Sequence, residues 1–476
     1  MGTDKEENRA VPGNLENLDR VFKPRSVAIV GASTSPKKFG YVITDMLLKQ
    51  GYAGRVYPIN PSASEICGLP SYPSLADVPD EVDVATIVLP AEMVLQAFKE
   101  AIDKRVGGVV IISSGFAETE MGSELQRELA RLSRQSGVRI IGPNCEGFIN
   151  QHRRLILTFS LMFANVPQSG PVSFVSQSGA YSGIVFRRVN NAGVRFSKVV
   201  SSGNEADVNA TELFEYFAED PDTGVIVAYL EEIRQPRQFF ARMREVSRLK
   251  PVVVNKVGWT AAGQRAAQSH TGALAGSDQV VDAILRQSGV VRARHLDELV
   301  DLTVGLATQP ILRGNRVAIL STAGGLAVET SDLCGAYGFT LPQLQDKTRE
   351  GLGKIVPYYG STANPVDLTA SALQNYEWPG MCIKIAADDD NVDAVILVLT
   401  AMRDIEIAQH VLEAIKSSTK PVFLCWTAGE LAGEALNYLQ DHGVPVFSSP
   451  NRVLTALRGL KQRGRFLLAN DFIEQR

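Results

Sequence analysis

Three times along this chain a short run of mostly β-branched and apolar residues ends in a turn of small residues that opens a helical stretch. The first is Ser26-Val27-Ala28-Ile29-Val30, followed by Gly31-Ala32-Ser33. The second is Pro171-Val172-Ser173-Phe174-Val175, followed by Ser176-Gln177-Ser178-Gly179-Ala180. The third is Arg316-Val317-Ala318-Ile319-Leu320, followed by Ser321-Thr322-Ala323-Gly324-Gly325. Further apolar runs then alternate with helical stretches: 55–59, 84–89 and 108–112; 197–201, 225–229 and 251–255; 394–399 and 421–425. Strands this continuously apolar, spaced by helices, call for parallel sheets covered on both faces. At roughly 100–200 residues per domain, 476 residues accommodate three doubly wound α/β domains, each with its own core. Boundaries are expected near 165–170 and 309–315. They give domains 1–166 (with a tail, 1–17), 167–310 and 311–476.

Charge and cysteine usage narrow the class. The chain carries 48 Lys and Arg against 52 Asp and Glu, dispersed along its length, so no nucleic-acid footprint is present. Met1 to Asn8 is polar and shows no apolar h-region, which argues against a secretory signal. The apolar run 392–402 is too short to span a bilayer. Five cysteines stand far apart with no Cys-x-x-Cys pair, which argues for reduced thiols in a cytoplasm and against structural zinc. A cytoplasmic protein with no metal site is expected.

The three turns are candidate anion sites. In open α/β sheets ligands bind at the carboxyl ends of strands, where the N–H groups of the next helix point outward and glycine or serine lets an anion approach. The first turn lacks the Gly-x-Gly-x-x-Gly dinucleotide pattern, and the second strand ends at Tyr57-Pro58-Ile59-Asn60-Pro61 with no acid to take a ribose diol. Lys37 and Lys38 are available for phosphates. A nucleotide ligand other than NAD is indicated, and coenzyme A fits. Gln268-Ser269-His270-Thr271-Gly272 then sets one imidazole in an apparent loop of small residues before a helix expected over 277–288. Neutral imidazole, with a reference pKa of about 6.5, is available as a nucleophile near neutrality.

These segments, with Gly142-Pro143-Asn144-Cys145, Gly203-Asn204-Glu205-Ala206-Asp207, Tyr229-Leu230-Glu231, Ser269 to Gly276 and Asn364-Pro365-Val366-Asp367-Leu368, resemble the α subunit of the nucleoside-diphosphate-forming acyl-CoA synthetases. That family includes ADP-forming acetate–CoA ligase and is related to succinyl-CoA synthetase. The resemblance runs from Leu18 to about Leu460. It implies an N-terminal Rossmann-like CoA-binding domain and two flavodoxin-like ligase domains. His270 would be phosphorylated and carry phosphate between two active sites, with Glu231 orienting it; a carboxylate on the second imidazole N–H fixes the tautomer. Glu232 is the adjacent alternative, although strand alternation sends it to the other face. Ser178, Gly179 and Ala180 from one helix start, and Gly324 and Gly325 from another, would bind phosphate. Gly31, Ala32, Ser33, Lys38, Asn60, Pro90, Ser114, Asn144 and Cys145 would contact CoA, with Cys145 a wall residue rather than a nucleophile.

The implied reaction interconverts acyl-CoA, phosphate and ADP with acid, CoA and ATP. No ATP-grasp region or Mg2+-binding carboxylate pattern is present, so ADP/ATP and Mg2+ would sit on an ATP-grasp β subunit, in an α2β2 assembly. Three departures stand out: no lysine in Asn60-Pro61-Ser62-Ala63-Ser64, an acidic Glu146 after Cys145, and less glycine at the third turn. A non-catalytic CoA-sensing subunit and an NAD-dependent oxidoreductase are the competing readings.

Overall fold

The structure, a computed structural model, describes residues 14–165, 167–271 and 277–472, and side chains throughout these except at 14–16 and 268–271. The chain gathers into two compact units. One comprises Met1–Arg187, Arg195–Val246 and Lys256–Asp282; the other comprises Arg188–Val194, Ser247–Asn255 and Ala283–Arg476.

In the first unit a five-stranded parallel sheet runs Arg55–Ile59, Ser26–Val30, Val84–Ile87, Gly108–Ile111, Arg139–Ile141. The inner strands are fully buried because helices cover both faces, as the unbroken apolar runs require. Val94, Phe98, Ile111 and Phe116 fill one side of this core. A second sheet of this unit runs Val225–Leu230, Val172–Ser176, Phe196–Ser201, Phe148–Asn150, Leu155–Leu157. Its first three strands are parallel, but the last two form an antiparallel hairpin against Phe196–Ser201. All-parallel pairing was expected. The hairpin escaped notice because its turn, Gln151–Arg153, lacks glycine, proline and asparagine; a 3-10 turn closed by Arg154 at φ +52° makes the reversal.

In the second unit, Val366–Asp367, Val317–Ser321, Ala394–Leu399, Val422–Trp426 and Val446–Phe447 form another five-stranded parallel sheet. Asn364 acts there as a surrogate strand residue: its side chain accepts from Ile319 N and donates to the Val317 carbonyl. Val252–Lys256 and Val291–Ala293 pair in parallel at 253–255. The fold class is α/β with doubly wound parallel sheets.

Two parts of the first unit are joined by aromatic and ionic contacts. Phe22, at the end of the helix Asn14–Phe22, packs with ring centroids 5.0 Å from both Phe148 and Tyr216. That helix begins inside the expected tail. Arg139, on the edge strand of the first sheet, is 4 % exposed; it donates to Asp207 Oδ2 at 2.9 Å and Glu212 Oε1 at 2.8 Å. Asp207 Oδ2 also accepts from Ile140 N. Removing one partner from a buried ion cluster strands the others, at a cost of about 3–5 kcal/mol. Arg139→Ala is therefore expected to lower the first calorimetric melting transition by several degrees, and Arg139→Lys by less, since an ammonium cannot reproduce the planar fork. Equal melting of Arg139→Ala and the parent would contradict this.

Candidate functional site: a sheet-edge cavity and a serine-bracketed turn

The first parallel sheet opens at its carboxyl edge onto a cavity of about 1100 Å3, lined by Gly31, Ala32, Ser33, Lys38, Asn60, Pro90 and Ser114 among others. Two helices begin at it, Phe39–Lys49 after Lys38 and Ala91–Asp103 after Pro90. The first N–H groups of a helix have no intrahelical acceptors and carry the positive end of its dipole, so anions are favoured there. Gly31 is required by the backbone: its φ is +92°, and a Cβ would run into the Val88 carbonyl oxygen. Asn60 ties the second strand to this turn. Its amide donates to Ala32 O at 2.8 Å and accepts from Ser62 N and Ala63 N. Asn60 thus builds the rim of the cavity and retains little capacity for a ligand.

Asn144 and Cys145 do not line this cavity. Asn144, at φ +56°, donates its N–H to Ser113 O and its amide to Asn204 Oδ1. Cys145 is buried against the carbonyl of Ile111, and burial pushes its thiol up to about 12. A thiol so protonated is no nucleophile near neutrality.

The second turn shows how this chain exposes helix N–H groups. Ser176 closes its strand fully buried; its hydroxyl accepts from Ser178 N at 3.2 Å and donates to Ser178 O at 2.6 Å. The third turn repeats the device in the second unit, where the Ser321 hydroxyl accepts from Ala323 N and donates to Ala323 O. Each serine satisfies the turn's own polar groups and leaves the next residues at the helix start, Gly179 and Ala180 in one case, Gly324 and Gly325 in the other. Ala180, Gly324 and Gly325 are exposed, while Ser178 and Gly179 are half-buried.

Glu231 follows the strand Val225–Leu230 and is buried. It shares a face with Tyr229, whose hydroxyl donates to Glu231 Oε1 at 3.4 Å; Tyr229 is stacked on Tyr181 of the helix Gly179–Asn191. Glu232 points elsewhere and accepts from Arg234 at 3.1 Å. The backbone of His270 falls within the helix Ala261–Thr271, not the open loop expected from its small neighbours. The alanine-rich lead-in 261–267 explains this, since alanine carries the highest helix propensity. The His270 side chain and residues 272–276 lie outside the described set. The next helix is Asp278–Gln287.

Glu146 packs directly on the second turn. A Cβ at Gly179 would lie 2.5 Å from Glu146 Cγ, so the glycine makes room for this carboxylate at the start of the helix. Burial pushes the Glu146 carboxyl up, with Ser160 only partly offsetting it, and Oε2 has no hydrogen-bond partner among the described residues. Sequence reading flagged Glu146 as an unusual charge but had no signal for this packing. Among the described residues no group of three or more His, Cys, Asp or Glu could hold a metal ion, and no helix is long and apolar enough to cross a membrane.

Comparison with known proteins assigns this architecture. Family models for a CoA binding domain, a succinyl-CoA ligase like flavodoxin domain and a ligase-CoA domain match residues 25–151, 169–306 and 317–466. The chain is 38 % identical over 457 residues to the α subunit of ADP-forming acetate–CoA ligase II of Pyrococcus furiosus, covering 94 % of this chain and 98 % of that one. The chain belongs to the ADP-forming acyl-CoA synthetase family. Its match to ADP-forming acetate–CoA ligase I of Archaeoglobus fulgidus, at 37 % identity, covers 94 % of this chain but 64 % of that longer synthetase. Among solved acyl-CoA synthetase structures, the dinucleotide forming acetyl-coenzyme A synthetase 1 of Ca. Korarchaeum cryptofilum, in complex with phosphate and ADP, is similar at a TM-score of 0.89 and 36 % identity. That match covers 94 % of this chain and 97 % of the other.

The Glu146 environment gives a pH test. A carboxyl whose folded-state pKa is raised above its ordinary 4.5 contributes most to stability below that value, and the contribution is lost as pH rises through the folded-state pKa. Glu146→Gln, neutral throughout, should melt like the parent near about pH 4 and above it near about pH 8. A melting difference that is constant with pH would refute the assignment.

Proposed function

We propose that this chain is the α subunit of an ADP-forming acyl-CoA synthetase that binds CoA and handles acyl phosphate. The observation carrying this reading is that one compact unit holds both a CoA-sized cavity at a sheet's carboxyl edge and the serine-bracketed helix start beside the buried Glu231. The family membership gives the reaction its class.

In the thioester-consuming direction, a phosphate oxygen attacks the acyl carbonyl carbon, the C–S bond breaks, and CoA leaves as a thiolate that takes a proton. Gly179 and Ala180 offer backbone N–H groups to the phosphate, where fixed dipoles stabilise spreading negative charge, and Ser178, whose own N–H is held by the Ser176 hydroxyl, borders them. A nitrogen of His270 then attacks phosphorus, the bond from phosphorus to the acyl oxygen breaks, and the carboxylate leaves. Glu231 accepts the other imidazole N–H and stabilises the phosphorylated ring. Finally the phosphoryl group passes to ADP. Gly324 and Gly325 would supply the second phosphate site, since their turn repeats the Ser176 device. Gly31, Ala32, Ser33, Lys38, Pro90 and Ser114 would hold CoA, and Asn144 and Cys145 would flank its thiol.

The nucleotide step would be completed by a β subunit of ATP-grasp type with Mg2+, in an α2β2 complex. The relative named as an α subunit, and the longer Archaeoglobus chain that extends well beyond the match, support this. Five free cysteines, four of them buried, suit a reducing cytoplasm.

The test is intact-mass measurement of the chain after incubation with phosphate and a panel of acyl-CoA thioesters, alone and with its co-purified partner. An acid-labile phosphoryl adduct is expected, dependent on both substrates and absent from His270→Ala. CoA binding without any adduct under either condition would favour a sensing subunit instead, and NAD(H) binding would favour an oxidoreductase.

A further inference from the structure

The main chain that carries Glu231 is fixed from one side by a single amide. Gln177, the residue between the two bracketing serines, accepts from Glu231 N at 2.6 Å and from Glu232 N at 2.9 Å through Oε1. Its Nε2 donates to Glu232 O and to Glu205 Oε1, both at 3.1 Å, and its own N–H donates to Tyr229 O. A side-chain amide offers two acceptor positions and two donor hydrogens; here all four are used. From the other side Lys256 Nζ donates to Glu231 O at 2.8 Å. Behind Gln177, Glu205 is 5 % exposed, sits at φ +51° and accepts a second bond from the Ser202 hydroxyl at 2.8 Å. Burial pushes the Glu205 carboxyl up. Arg234 closes the loop by donating to Glu205 O at 3.0 Å and to Glu232 Oε2.

We propose that Gln177 is a positioning residue: anchored on the buried Glu205, it holds Glu231 at a fixed distance from the helix start Gly179–Ala180. This rests on the reading that Glu231 serves phosphoryl transfer. The physical case is that Gln177 is part of the phosphate turn by sequence and part of the Glu231 strand end by hydrogen bonding. The groups that must meet the same phosphorus are thereby locked to one rigid element, and a misplacement of about 1 Å can cost about 100-fold in rate. Lys256 binds the carbonyl of Glu231 and that of Val257, whereas Gln177 binds the N–H side and belongs to the turn itself.

The test uses the full chain and acetyl phosphate as phosphoryl donor, following acid-labile phosphoprotein formation in single turnover at varied donor concentration. Gln177→Ala is expected to lower the maximal rate by about 10-fold or more while shifting the half-saturating concentration by less than about 3-fold. Combined with Glu231→Ala it should add almost nothing, because both changes remove one interaction. Gln177→Glu keeps both acceptor positions but loses both donors and sets a second carboxylate against Glu205, so it should recover only a minor part of the loss; it also tests the idea should the alanine variant fold poorly, as judged by its melting curve. Additive effects in the double variant, or a change confined to half-saturation, would overturn the positioning role. Loss in His270→Ala and Glu231→Ala with full rate in Gln177→Ala would sink this inference alone. Full rate in Glu231→Ala, or no adduct in the parent, would sink it together with the reading beneath it.

Discussion

A helix cannot bond its own first N–H groups, and much of the function proposed for this protein follows from where those groups end up. In a parallel doubly wound domain each helix that follows a strand starts at the sheet's carboxyl edge. The unpaired donors and the positive helix ends therefore collect along one rim. This chain sets its turns there so that the loop's own polar atoms are satisfied internally, by the hydroxyls of Ser176 and Ser321 and the amide of Asn60. The residues just beyond are left facing outward with little side chain. An anion is the natural complement to such a rim.

The second constraint is that groups acting on one phosphorus must be held together although they come from distant parts of the chain. Glu231 lies 54 positions beyond Gln177 yet its N–H rests on that side chain. Arg139 spans a comparable distance to Asp207 and Glu212, and Asn144 reaches Asn204. The Gln177 and Arg139 contacts are buried or half-buried, where an unmet partner is costly; the Asn144 contact is exposed. They fix geometry more than they add net stability. Glu146 is a conspicuous exception, a carboxylate oxygen left without a partner against the start of a helix.

The parallel strands were legible because burial on both faces demands uninterrupted apolar runs, and 26–30, 55–59 and 394–399 coincide with the strands found. The hairpin around Gln151–Arg153 was not, since a 3-10 turn with a left-handed arginine has no compositional signature. The His270 segment read as a loop from its serine, threonine and glycine, whereas the alanines before it carry the backbone into a helix as far as Thr271. Local propensity was present in the sequence, but the polar residues masked it.

What the sequence determined by itself was the class of fold, the three strand–turn–helix units and the residue types at their tips, because periodicity and turn chemistry are local properties. Which strand ends line one cavity, which glutamate of the pair is buried beside Tyr229, and that Gln177 spends its whole side-chain hydrogen-bonding capacity on the Glu231 strand end and on Glu205 were decided only by tertiary structure. A hydrogen bond between residues far apart in the chain depends on packing that places two backbones a few ångströms apart, and no local pattern of residues records that distance.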